Sequence, residues 1–346
     1  MEPEPGRYDA ASLERYAGWA LRLRDSGVRP FVCLHHFSEP AWLLKENPRG
    51  WAEDRTAARF LAFCEKTCSA LKEFVSDWIV FNEPMVFLVG AYGMGYFPPG
   101  RFMLLNPERE LLPVIVPNMA RAHDQAARLI RRLQPSAKVG IAHNIADLEP
   151  ARPGDEEIVE KWDRFMHRNF LDLLMEPLDF LGINYYTRIF VARSRLPFAP
   201  MGAVPGYAEL ADRIPGLLFR LAGGRRGDRP RTQMGWEIVT EGHGRVVSRY
   251  WEAYKRPILI TENGLGDADG SRRGDFIREH LASLAGAMAA GAKVDGYFHW
   301  SLMDNYEWGS YRPRFGLYSR DRRPSGGCQD YAAIVRAGGV LPKEAA

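Results

Sequence analysis

Short apolar runs alternate along the chain with longer stretches in which apolar residues recur every three or four positions. That is the pattern of a parallel α/β protein. Leu13, Tyr16, Ala17, Ala20 and Leu23 predict a helix from about Ala11 to Ser26, ended by Asp25-Ser26-Gly27. A strand is expected at Pro30–Phe37, a helix at Asp54–Phe74 and a second strand at Trp78–Phe81. The next helix is placed at Pro117–Leu133, with one proline opening it and Pro135 just beyond its end. A strand at Lys138–Asn144, a helix near Glu156–Leu174 and a strand at Leu178–Tyr185 follow. After a segment rich in Pro, Gly and Arg, the alternation resumes. It predicts a helix at Arg245–Tyr254, a strand at Pro257–Thr261, a helix at Arg278–Ala290 and a strand at Val294–Trp300. Because the same alternation stands on both sides of residues 193–232, that segment reads as a long variable barrel-top loop, and residues 1–346 as a single domain. Six strand–helix units are counted, and the chain opens on a helix. A (β/α)8 barrel needs eight of each. Two fold classes follow: a six-stranded open sheet, or a TIM-barrel type that is N-terminally incomplete.

Composition narrows the function classes. The 346 residues are 46% hydrophobic and 26% charged, enough apolar mass for a sizeable core, and the net charge is +3 with basic and acidic residues interleaved. That bias is too weak to indicate nucleic acid, and pairs such as Arg131-Arg132 and Arg225-Arg226 read as solvated surface. Cys64 and Cys68 stand four apart on a predicted helix and Cys33 lies in an apolar run. The four cysteines therefore read as buried or half-buried thiols rather than a metal or redox motif. The N-terminus, Met-Glu-Pro-Glu-Pro-Gly, lacks the basic and apolar regions of a secretory signal, and no apolar run is long enough to span a bilayer. A cytoplasmic protein without membrane association is expected.

Candidate chemistry collects at the strand ends. His35-His36 closes the first strand, Asn82-Glu83 the second, Asn184-Tyr185-Tyr186 the fourth, Glu262-Asn263 the fifth and Trp300 the sixth. In an α/β barrel those ends converge on one mouth, where such enzymes carry their sites. A single rim glutamate is as often a structural ion pair as a catalyst. Two glutamates on separate strands, each beside an asparagine, are harder to explain that way. Glycoside hydrolysis uses two carboxyl groups: one protonates the departing oxygen, and the other attacks the anomeric carbon or activates water. Glu83 follows the apolar run Trp78–Phe81, a setting that suits a group kept protonated; donors such as Tyr186 and Asn263 would suit an ionised Glu262. The segment Tyr297–Trp308 mixes rings with His, Asn and Glu, the combination that sugars require. Core packing does not explain Glu307 beside Trp308 in a loop beyond a strand.

The sequence resembles glycoside hydrolase family 1, the β-glucosidase and β-galactosidase family of retaining enzymes. The resemblance rests on Asn82-Glu83-Pro84, Phe180-Leu181-Gly182-Ile183-Asn184-Tyr185-Tyr186, Ile260-Thr261-Glu262-Asn263-Gly264, Trp300–Trp308 and Arg314-Phe315-Gly316, in that order. Asn-Glu-Pro alone is common among barrel glycosidases; the ordered set is specific and spans essentially the whole chain. The resemblance implies Glu83 as acid/base and Glu262 as nucleophile. It also implies that His36, Asn82, Trp300, Glu307 and Trp308 bind the non-reducing sugar, and that Asn184 and Tyr186 support the nucleophile. Retention of Glu307-Trp308 implies an unphosphorylated glycoside, with β-glucosides favoured over β-galactosides or β-fucosides. No metal or organic cofactor is implied, and His123, His143, His167 and His280 read as structural.

The family barrel opens with one strand whose Gln grips sugar hydroxyls and another whose Arg faces the nucleophile. Neither is recognised here, and Glu2–Asp9 resembles the loop after that second strand. The resemblance therefore favours the incomplete barrel over a six-stranded fold. Open strand edges would invite self-association. Two further readings stand beside the leading one. The first is a truncated, weakly active or non-catalytic sugar-binding remnant of the same family. The second is another retaining barrel glycosidase such as a xylanase, which fits the two glutamates but not the Glu307-Trp308 segment.

Overall fold

The structure is a computed structural model that describes residues 1–103, 106–107, 109–194, 203–205 and 227–339. Most of the 193–232 loop, and the Arg225-Arg226 pair with it, lies outside the described residues. The strands described are β1 (Phe31–His35), β2 (Asp77–Asn82), β3 (Lys138–Asn144), β4 (Asp147–Pro150), β5 (Phe180–Asn184), β6 (Arg188–Arg193), β7 (Ala203–Pro205), β8 (Ile258–Asn263) and β9 (Val294–His299). The six strands expected from the apolar runs are all present, as β1, β2, β3, β5, β8 and β9.

The chain gathers into two compact units. The first comprises Met1–Asn144 and Asp163–Leu181, and its strands run β1-β2-β3 followed by the opening residues of β5. β1 pairs with β2 and β2 with β3, both in parallel. The six residues of β2 are all buried, as near-continuous hydrophobic strands of parallel sheets are. The helix Asp54–Leu71 buries Phe60, Cys64, Thr67, Cys68 and Leu71, one stripe at helical spacing. The helix Val116–Leu133 starts with Pro117 in its first turn, where a missing N–H costs nothing, and buries Met119, His123, Ala126, Ala127 and Ile130. The helix Ala10–Asp25 buries only Leu13 and Ala20 and leaves Tyr16, Trp19 and Leu23 exposed.

The second unit comprises Ile145–Trp162 and Gly182–Ala346. Its strand order runs from the last residues of β5 through β8 to β9, the last two pairing in parallel. A smaller sheet joins β4 to β6 in parallel and β6 to β7 in antiparallel fashion. The helix Thr240–Tyr254 begins five residues before its expected start, because Gly242 and Gly244 look like breakers in the sequence. They serve close approach instead. A Cβ on Gly242 would stand 2.3 Å from Tyr185 Oη, and one on Gly244 would stand 2.8 Å from the Ser283 carbonyl oxygen. The helix Arg273–Ala289 and the helix Cys328–Ala337 complete this unit.

One expected helix is corrected, and one small sheet lies beyond the expected elements. The helix placed near Glu156–Leu174 is a helix only over Glu156–Asp163. It continues as a wide π-type turn at Arg164–Arg168 and a short helical piece at Asn169–Leu171. The small sheet of β4, β6 and β7 is absent from the sequence expectation: β4 and β7 are four and three residues long, and the apolar run Ile189–Ala192 of β6 is flanked by arginines.

Candidate active site

In the first unit, β1 alternates its faces so that two adjacent histidines diverge. His35 is buried among the rings of Trp51, Phe60, Phe81 and Phe87, all meeting it edge to face. His36 turns the other way, and the Asn82 amide donates to its Nε2 at 3.2 Å. Part of the His36 ring is open to solvent. Even so, the protein mass around it and the neighbouring His35 push its pKa down to about 4. The ring is therefore neutral near neutral pH and can accept that bond.

Glu83 follows β2 directly and is buried. Between Ile79 and Asn82, three steps along β2 stand opposite two along β3, Gly140 to Ala142. Such an irregularity re-aims the side chains that follow it. The Glu83 N–H donates to Ala142 O at 2.8 Å, and its backbone adopts a left-handed conformation with φ of 45°. Pro84 then starts the short helix Pro84–Leu88. The carboxyl group meets the Asn144 amide, which donates to Oε1 at 3.1 Å.

The second unit repeats this device. From Ile260 to Asn263, three steps of β8 stand opposite two of β9, Tyr297 to His299, and Glu262 lies within that stretch. Glu262 is buried, and the Tyr186 hydroxyl donates to its Oε2 at 2.7 Å. A hydroxyl donor of this kind favours the ionised form of a carboxylate. Tyr186 is itself fixed between Trp236 and Phe315. Asn184 accepts a bond from the Thr261 hydroxyl at 2.6 Å, tying the end of β5 to the residue before Glu262. Asn263 is differently engaged from the expectation. Its amide donates to Tyr185 O at 2.8 Å and it accepts from the Tyr297 hydroxyl at 2.8 Å, so it braces the backbone rather than supplying a donor to Glu262.

Beyond β9, Trp300 Nε1 donates to Glu307 Oε1 at 2.8 Å. Burial raises the pKa of Glu307, while the bonds from Trp300 and Asn305 pull the other way. Trp308, next to it, is half open to solvent and has a positive φ of 47°. The segment is held in place by a backbone ladder: Leu317 N–H to Ser301 O, Tyr318 N–H to Leu302 O and Asp304 N–H to Tyr318 O, each at 2.9 Å. Asp304 Oδ1 also accepts the Gly316 N–H at 2.8 Å. Gly264 cannot carry a side chain here, because its Cβ would stand 1.9 Å from the Trp300 carbonyl oxygen. Trp300 and the residue after Asn263 are thus in direct backbone contact.

Each unit therefore brings its own candidates together. The first gathers His36, Asn82 and Glu83 around the ends of β1 and β2. The second gathers Asn184, Tyr186 and Glu262 on one side, and Trp300, Glu307 and Trp308 on another. The sequence reading did not single out Asn144, although it ends β3 as the other polar residues end their strands. The histidines expected to be structural are buried. His143 contacts His167 O at 2.8 Å, His167 Nδ1 meets Asp163 at 2.8 Å, and His280 lies 3.1 Å from His243.

The model of glycosyl hydrolase family 1 matches residues 4–176 and 166–331. The chain belongs to glycosyl hydrolase family 1. It is 30% identical over 367 residues to a β-galactosidase of Sulfolobus acidocaldarius, covering 96% of this chain and 71% of that protein. It is 29% identical over 348 residues to β-glucosidase A of Thermotoga maritima, covering 92% of this chain and 75% of the relative. Among solved structures, a β-glycosidase from Pyrococcus horikoshii superposes with a TM-score of 0.85 at 29% identity, covering 99% of this chain and 79% of that one. The chain spans 46% of the length of one curated relative that it matches and 77% of another. Its fold is that of the family 1 TIM-barrel glycosidases, with six strand–helix units described here. Among the described residues, no helix is long and apolar enough to cross a membrane.

Proposed function

We propose that this family 1 chain is a retaining β-glycosidase acting on terminal, non-reducing, unphosphorylated β-D-glycosides, with β-glucosides the favoured substrates. Glu83 is the acid/base and Glu262 the nucleophile. The observation that carries the reading is the shared placement of the two glutamates. Each stands at a register irregularity near the C-terminal end of its strand, Glu83 just after β2 and Glu262 within β8, is buried, and has one carboxyl oxygen held by a hydrogen-bond donor. In the first step the Glu83 proton passes to the glycosidic oxygen, the C1–O bond breaks, and a Glu262 carboxyl oxygen bonds to C1. In the second, water adds to C1 from the face the leaving group vacated, gives its proton to Glu83, and the ester to Glu262 breaks. Two inversions give net retention, which requires carboxyl groups about 5–5.5 Å apart. His36, Asn82, Trp300, Glu307 and Trp308 are assigned to the sugar; Asn184 and Tyr186 hold the nucleophile. β-Glucosidase A of Thermotoga maritima supports the glucoside preference.

In this reading residues 1–346 act as one glycosidase domain. The exposed Tyr16, Trp19 and Leu23, together with the half-buried Phe31, Val32 and Cys33 of β1, support self-association through the first unit. The buried, free thiols of Cys64, Cys68 and Cys328 suit a reducing, cytoplasmic setting.

The test is stereochemical. The chain is incubated with 4-nitrophenyl β-D-glucoside, and the anomeric proton of the first-formed sugar is followed by NMR before mutarotation. β-Glucose is expected to appear first. First-formed α-glucose would mean inversion and would refute the nucleophilic role of Glu262. No release of nitrophenol would favour the sugar-binding alternative.

A further inference from the structure

Residues Gly140, Ala142 and Asn144 alternate along β3 and share one face, while His143 points the other way to meet His167 O. Gly140 and Ala142 are buried and Asn144 is half-buried, so this face meets solvent at Asn144. The extra residue in β2, the bond from Glu83 N–H to Ala142 O, and the left-handed turn at Glu83 together swing that carboxyl group over the end of β3. Asn144 meets it there with an N–H on Oε1 at 3.1 Å.

We propose that Asn144 is the positioning residue of the acid: its amide occupies Oε1 of Glu83, so that the transferable proton is carried by Oε2. The proposal rests on Glu83 being the acid/base. An Asn side-chain NH2 only donates, and a carboxyl oxygen that accepts its N–H is the poorer place for a proton. In the first step the proton leaves Oε2 for the glycosidic oxygen, and the negative charge left on Glu83 is shared with the amide at Oε1. In the second step, as water bonds to C1, its proton arrives on Oε2. One amide therefore keeps the same oxygen in use for both transfers and steadies the anion between them. The β2–β3 pairing supplies the geometry, since Glu83 stands one step beyond Asn82 and Asn144 two steps beyond Ala142, the last paired residues of their strands.

The experiment follows the titration of Glu83 directly and does not need turnover. In protein labelled with carbon-13 at the glutamate δ-carbon, the Glu83 resonance is identified by its loss in Glu83→Gln. A donor lost from a carboxylate raises the titration midpoint, and a bond to a charged group is worth about one to two pH units. Asn144→Ala is expected to raise the Glu83 midpoint by that amount, with the Glu262 resonance left in place. Asn144→Asp, of the same size, keeps the space filled and decides the matter where the alanine variant does not fold. It should raise the midpoint further, because a second carboxylate faces the first. An unchanged Glu83 midpoint in a folded variant overturns the proposal. So does a fall, which would mean that the amide oxygen was accepting the Glu83 proton. In turnover, the basic limb of the pH profile should move upward with the titration while KM changes little. Were Glu83→Gln to hydrolyse an aryl glucoside as fast as the parent, the acid/base assignment would fail. The titration would still decide whether Asn144 holds Glu83.

Discussion

Replacing Glu262 by glycine is expected to stop hydrolysis of 4-nitrophenyl β-D-glucoside, a loss on the order of 10³-fold or more in kcat. The nucleophile forms the bond to C1, so no neighbour can take its part. Tyr186, which donates to Glu262 Oε2, would face an empty space. Small anions should enter that space. Added azide would attack C1 from the side the carboxylate occupied, and with no second displacement the product would be the α-glycosyl azide. The checks are a spectrophotometric kcat and an NMR assignment of the azide adduct. A variant with parental turnover, or a β-configured azide, contradicts the role given to Glu262.

Glu83→Ala should produce a different defect. General acid assistance contributes about 10²–10⁴-fold, and only where the leaving group needs a proton. With a poor leaving group such as an alkyl alcohol, the rate is expected to fall by that factor. With a dinitrophenolate, which departs unaided, formation of the glycosyl–Glu262 ester should be nearly normal and its hydrolysis slow. A burst of dinitrophenol followed by a slow steady rate is the expected trace. Azide needs no general base, so it should speed the second step and yield the β-glycosyl azide, with Glu262 still providing the first inversion. Equal losses for good and poor leaving groups would contradict an acid role. The two variants thus give azides of opposite configuration, which separates the two carboxyl groups by role rather than by size of effect.

The strands that carry these residues are legible in the sequence because parallel strands buried on both faces read as unbroken apolar runs. Lys138–Asn144 matches its strand end to end. The strands β4, β6 and β7 escape notice because β4 and β7 are only four and three residues long, and the apolar run Ile189–Ala192 of β6 lies between arginines at the edge of a Pro-, Gly- and Arg-rich segment. Gly242 and Gly244 mislead for a related reason: close helix packing and helix breaking place the same residue in a sequence.

The two glutamates are legible because a carboxylate at the end of an apolar run is conspicuous. What they touch is less so. Neither the register irregularities in β2 and β8 nor the left-handed backbone at Glu83 has a signature in residue type, beyond Pro84 marking a helix start. The partners therefore shift from those the motifs suggest. Asn263, adjacent in sequence to Glu262, turns to Tyr185 and Tyr297, whereas Asn144, 61 residues from Glu83, reaches its carboxyl group. Adjacency along a strand sends side chains to opposite faces; neighbours across strands share one. Reading strand ends against each other, rather than one at a time, is the signal that finds Asn144.

The central claim is that Glu262 forms a covalent glycosyl intermediate. A 2-deoxy-2-fluoro-β-D-glucoside with a dinitrophenolate leaving group tests it most directly, since the fluorine destabilises both oxocarbenium-like transition states while the good leaving group keeps the first step accessible. After incubation and peptic digestion, mass spectrometry should find one peptide heavier by the fluoroglucosyl group, with fragmentation placing the added mass on Glu262. An unlabelled protein, or a label on any other residue, would contradict the account.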